Sequence, residues 1–171
     1  EQMAESGYDV PSNLGNECVI NCIGKGANGT HDDFGGIDVA LAMLAAMESS
    51  PSGSTMITVD SYGSVVSALS DDAAVEEACL LLRAMVVEHS FTPPLSTFAD
   101  VARAAAKAKT AEMDETVIQV LTLAKAAGYV LDGIASAEAG RDLLASGVIA
   151  AENMGNIPLG LRLLTAAGKA E

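Results

Sequence analysis

The sequence predicts an all-α protein built as a solenoid of about four two-helix units, and three observations lead there. An apolar seven-residue block recurs with a period near 40 residues. Ala- and Leu-rich stretches with apolar residues at 3–4 spacing alternate with stretches of Gly, Pro, Ser and Asp. Aromatics make up only 4% of the chain and Trp is absent, so the core must be built from Ala, Leu, Val, Ile and Met.

The breaks come first. They fall at Gly24 to Gly36, Ser49 to Ser54, Ser90 to Pro94, Leu131 to Ser136 and Asn153 to Pro158. The periodic stretches between them predict helices over 13–23, 37–48, 55–69, 73–89, 97–110, 115–130, 137–151 and 157–169. Asp72, Asp114, Ser96 and Ser136 are read as caps, since a short polar side chain can accept an orphan backbone N–H. Asn156 is read the same way, with Pro158 tolerated in the first turn. Pro93-Pro94 stops the helix ending near His89, where a cation favours the C-terminus.

The repeat lies in the second helix of each pair. Its copies are Leu41 to Met47, Cys79 to Met85, Leu121 to Ala127 and Leu161 to Ala167, in steps of 38, 42 and 40 residues. Four residues before each copy stands a branched aliphatic: Ile37, Val75, Val117 and Ile157. The first helices repeat too, with Val59 and Val101 each 16 residues before Val75 and Val117. Helix pairs of this kind leave one apolar face bare, and the next pair covers it.

A period near 40 with two helices per unit resembles the armadillo and HEAT families. The resemblance runs from about Asn13 to the end and implies a right-handed α-solenoid. Residues 1–171 then form a single helical-repeat domain, with units at 13–48, 55–89, 97–130 and 137–169. No polar capping helix follows Leu163, Leu164 and Ala167, so the array is expected to be a piece of something longer or to be covered by another chain. The second helices of such families commonly line the binding surface, where equivalent positions form ladders. One ladder is Glu77, Gln119 and Leu159; a second is Leu80, Thr122 and Arg162; a third is Arg83, Lys125 and Thr165. Glu77, Gln119, Leu80, Thr122, Arg162, Arg83 and Lys125 are the candidate partner-binding residues. The chain departs from the nuclear-import branch, which reads basic peptides with repeated Trp and Asn.

Charge and motifs narrow the function. A net charge of −14 opposes binding to phosphate backbones and to anionic membranes, and suits a basic peptide or protein. No stretch is long and apolar enough to be a transmembrane span. Three cysteines, Cys18, Cys22 and Cys79, do not form a disulfide framework and suit a reducing, cytoplasmic setting. Cys18 and Cys22 share a helix face, which suits core packing as well as a redox role. The Gly24 to Gly36 stretch matches no phosphate-loop pattern, because Lys25 precedes most of its glycines. Its adjacent His31, Asp32 and Asp33 cannot easily surround one ion. No catalytic triad, HExxH or CxxC is present.

The expectation is therefore a protein-binding scaffold, not an enzyme, with no cofactor or metal. The alternative is a structural subunit held permanently in a large complex. A third reading, an enzyme using the Gly24 to Gly36 loop, requires Thr55 to Val59 to be a strand.

Overall fold

The computed structural model describes residues 12–26, 36–49, 57–71 and 73–168. All regular structure among them is helical. The elements are α1 (Ser12–Gly26), α2 (Ile37–Ser49), α3 (Val59–Asp71), α4 (Val75–Arg83) with a π turn at Ala84–Glu88, and α5 (Leu95–Ala108). They continue with α6 (Ala111–Ala126), the one-turn α7 (Leu131–Ile134), α8 (Glu138–Asn153) and α9 (Ile157–Gly168). The chain divides into two compact units, Glu1–Ala68 and Leu69–Glu171, with the boundary inside α3.

The predicted helices thus recur with shifted ends, and the reasons are local. α6 begins at Ala111 because Thr110 caps it, its hydroxyl accepting the Met113 N–H at 3.3 Å. Asp114, expected as that cap, lies instead in the first turn and is buried. It accepts a hydrogen bond from Asn153 Nδ2 at 3.1 Å, tying the start of α6 to the end of α8. Ser96 lies within α5, whose N-cap is the extended Pro94. Ser136 donates to the Gly133 carbonyl, and the α8 N-cap is Ala137 with no side-chain bond. Asn156 does cap, accepting the Leu159 N–H at 3.2 Å. Asp72 lies outside the described residues, as does most of the Gly24 to Gly36 stretch, including His31, Asp32 and Asp33. α7 occupies a stretch read as a break.

Three helix ends share one hydrogen-bond pattern. After α6, Gly128 (φ +97°) turns left-handed, and Tyr129 N–H reaches the Ala124 carbonyl while Gly128 N–H reaches Lys125. After α8, Gly155 (φ +67°) does the same, with Asn156 N–H on Ala151 and Gly155 N–H on Glu152. α3 ends alike without glycine: Ala74 N–H bonds the Leu69 carbonyl, and Ala73 takes φ +61°. The left-handed form costs a non-glycine residue roughly 1–2 kcal/mol.

In the first unit, α1 packs on α2. Val19, Ala40, Leu44, Tyr62, Val65 and Val66 are buried. The start of α3 is pinned to α1 by buried Asn16, whose Oδ1 accepts from Ser61 Oγ (2.5 Å) and Thr58 N–H (3.2 Å). Tyr62 is fully buried and its hydroxyl donates to the Glu48 carboxylate.

In the second unit, helices pack both on their sequence neighbours and across them. α5 packs on α6, α8 on both, and α9 on α8; α4 packs on α5 and α6. Two glycines permit the closest approaches. A Cβ on Gly140 would fall onto the Ile134 carbonyl group, so α8 begins hard against the turn that precedes it. A Cβ on Gly147 would stand 2.6 Å from Leu121 Cδ1 and 3.0 Å from Leu163 Cδ1. α6 and α9 therefore each send a leucine to one bare spot on α8. Tyr129 stands edge-on to Phe98 and donates to the Pro93 carbonyl at 2.9 Å.

These contacts rank two substitutions. Gly140→Ala meets backbone that cannot yield, and should cost roughly 3 kcal/mol or more, the upper end for overpacking. Gly147→Ala meets only leucine methyl ends, and should cost about 1–2 kcal/mol, partly offset by the helix preference of Ala. Urea unfolding of the two variants checks the order; a neutral Gly140→Ala would contradict this geometry.

Candidate functional site

The candidate ladder residues stand on α4, α6 and α9, and the structure leaves all but Leu159 in solvent. Glu77, Leu80, Arg83, Gln119, Thr122, Lys125 and Arg162 are exposed, as is Thr165, while Leu159 is half-buried. Their exposure follows from the helical period. On α4 the buried set is Val75, Ala78, Cys79 and Leu82; on α6 it is Val117, Val120, Leu121 and Ala124. Corresponding members stand 42 residues apart, so the residues between them take the solvent face in both helices.

The two buried residues of α9 fit a 42-residue step better than the 40 that the letters suggest. Leu163 and Ala166 are the buried residues of α9, 42 beyond Leu121 and Ala124. On that step Leu164 aligns with Leu80 and Thr122, and Leu161 with Glu77 and Gln119, while exposed Arg162 aligns with buried Val120. The matched Leu-x-Leu-x-x-Ala-Ala letters are offset by two from the packing, because a helix with Leu at 159, 161, 163 and 164 offers more than one apolar phase.

This shift alters the chemistry of the face. Leu80 is 66% exposed, Leu161 60% and Leu164 54%, with Ile157 at 71%. On this alignment one row runs Leu80, Thr122, Leu164 and the other Glu77, Gln119, Leu161, so exposed leucines stand beside polar side chains. The Thr122 hydroxyl is already spent on the Ile118 carbonyl. Arg83 and Lys125 fall in the last turns of α4 and α6, and Glu76, Glu77, Glu112 and Asp114 in the first turns. Both placements complement the helix dipole. Sequence reasoning missed Leu161, Leu164 and Ile157 as surface residues because apolar letters in a helix read as core.

Glu77 also borders a cleft of about 570 Å³ in the second unit. Asp71, Glu76 and Glu112 share its lining with Lys107 and Thr110. Its size is that of a small-molecule pocket; Glu76, Glu77 and Glu112 on its rim lie in the first turns of α4 and α6, and Asp71 ends α3.

Among the described residues, no three His, Cys, Asp or Glu side chains converge as a metal cluster. None of the described helices is long and apolar enough to cross a membrane. Val59 opens α3, so the strand over Thr55 to Val59 that a loop-based enzyme would need is not formed at its described end. His89 ends the π turn, its ring stacked 5.5 Å from Phe91. No family model matches the chain, and no curated protein or solved structure matches it.

Thiol environments differ sharply. Cys79 is buried in α4, and burial pushes its thiol above the usual range while the Arg83 guanidinium pulls partly the other way. Cys18 and Cys22 are half-buried. With the native protein at pH 8, a chromogenic disulfide reagent should titrate Cys18 and Cys22 quickly and reach Cys79 only on unfolding. Rapid modification of all three thiols, read by peptide mass, would contradict that assignment.

Proposed function

We propose that this protein is a helical-repeat scaffold which holds a peptide or protein partner along the solvent face of α4, α6 and α9. In this reading, residues 69–171 form stacked armadillo- or HEAT-like units, and the Leu41 to Met47 block makes the first unit a further copy by sequence. One observation carries most of the weight: each position proposed for contact on α4 and α6 faces solvent, in rows that repeat at 42 residues. The packing of α8 on α5 and α6, and of α9 on α8, supports the stacking.

The chemistry of the face fits a protein ligand better than a small molecule. Leu80, Leu161 and Leu164 offer apolar contact area; Glu77 and Gln119 can hydrogen-bond an extended backbone; Arg83 and Lys125 can meet carboxylates. The net charge of −14 favours a partner with basic character elsewhere on its surface. Binding, not catalysis, and a cytoplasmic setting complete the reading.

A second reading has one observation in its favour. Ile157, Leu161 and Leu164 place an apolar stripe along α9, which suits a subunit held permanently in a larger complex. Light scattering separates the two: a monomer across a wide concentration range supports the scaffold.

Peptide display tests the face itself. Peptides selected on the intact protein should bind the Leu80→Ala/Thr122→Ala double variant at least about 10-fold more weakly, or about 1.4 kcal/mol. A control change at exposed Ala145 on α8, Ala145→Ser, should leave their affinity unchanged. Equal losses at both places, or none at Leu80 and Thr122, would remove the second-helix face from the proposal.

A further inference from the structure

In the first unit, the seam between α1 and α2 carries four sulfur-bearing side chains. Cys18 and Cys22 stand one turn apart on α1, and Met43 and Met47 one turn apart on α2. Cys22 Sγ lies 4.0 Å from Met43 Sδ, its thiol directed at the thioether. Met47 Sδ lies 3.3 Å from the point a Cβ would occupy on Gly15. The two helices are therefore antiparallel here, with Gly15 facing Met47 and Cys22 facing Met43. Cys18, three residues after Gly15 and four before Cys22, falls on the same stripe between those two contacts. All four side chains are half-buried, beside the buried Val19, Ala40 and Leu44.

The Cys22–Met43 separation and the donor set both suit a soft metal. Two sulfurs bound to one ion at about 2.3 Å stand about 3.8 Å apart in a tetrahedral site and about 4.0 Å in a trigonal one. The Cys22–Met43 separation already has that value. Thiolate and thioether together select a soft ion, whereas zinc sites draw on Cys, His and carboxylate. No His, Asp or Glu joins these cysteines as a cluster among the described residues.

We propose that Cys18, Cys22 and Met43 bind one Cu(I) ion, with Met47 as a fourth, outer thioether. Each cysteine gives its proton to solvent on binding, the thioethers bind as neutral donors, and no change of oxidation state is involved. The site lies within residues 1–68, so it stands or falls independently of the partner-binding face.

The test uses the full-length chain, fully reduced and anaerobic, titrated with Cu(I) against bathocuproine disulfonate while circular dichroism follows helicity. One equivalent should be retained. Cys18→Ser and Cys22→Ser should each weaken retention at least about 100-fold, since even supporting residues around metal ligands are worth about 10–100-fold. Met43→Leu, which keeps the volume and removes the thioether, should weaken it about 10-fold. Cys79→Ala should leave it unchanged. Failure to hold Cu(I) against the chelator, or undiminished affinity in Cys22→Ser, would show that the sulfurs are in packing contact only. If Cys22→Ser loses its helicity, Met43→Leu decides: unchanged affinity there overturns the site.

Discussion

The close seating of α8 depends on two positions where it has no side chain. At Gly140 the helix meets the Ile134 carbonyl group, and at Gly147 it meets Leu121 of α6 and Leu163 of α9 together. Ala150 and Ala151 extend the same narrow face and are buried. Protein interiors are close-packed, so an added methyl there has nowhere to go without moving a neighbour. The order of α6, α8 and α9, and hence which residues of α6 and α9 are left facing solvent, follows from that contact. Polar ties then lock the ends: Asp114 with Asn153, and Tyr129 with Pro93.

Exposure on α4, α6 and α9 is thus a consequence of packing on the opposite side. Once Leu121 and Leu163 are committed to Gly147, the 3.6-residue period turns Gln119, Thr122, Leu161 and Leu164 outward. Electrostatics adds little to the fold at these places. The Arg103 guanidinium bridges Asp100 at 3.1 Å and Asp142 at 3.4 Å, but half in solvent, where such pairs contribute about 0–1 kcal/mol. Buried polar contacts matter more. Asn16 Oδ1, hidden with Ser61, has its acceptor capacity filled where water cannot reach, which fixes how α3 starts relative to α1.

Much of the fold could be read from the letters, because it depends on local signals. Pro93-Pro94 and the glycines at 128 and 155 end or begin helices through backbone geometry that any sequence would share. Other features were hidden because tertiary contacts decide them. Thr110 rather than Asp114 caps α6, since Asp114 has a better use facing Asn153. The turn at Ala73 has no glycine to announce it. The phase of α9 could not be chosen among Leu159, Leu161, Leu163 and Leu164 until Gly147 showed which leucine it receives. The Cys–Met seam is half legible: Cys18 and Cys22 stand out at i,i+4, whereas Met43 and Met47 at the same spacing read as ordinary core.

The proposed scaffold requires α4, α6 and α9 to run side by side, each one step further along. Dipolar spectroscopy on the intact chain tests it, with spin labels on non-canonical residues at exposed positions 80, 122 and 164. Neighbouring packed helices lie about 8–10 Å apart. Stacking predicts that the 80–164 distance is roughly the sum of the 80–122 and 122–164 distances. Three similar distances would mean the helices surround a common centre, and the scaffold reading would fall with the stack.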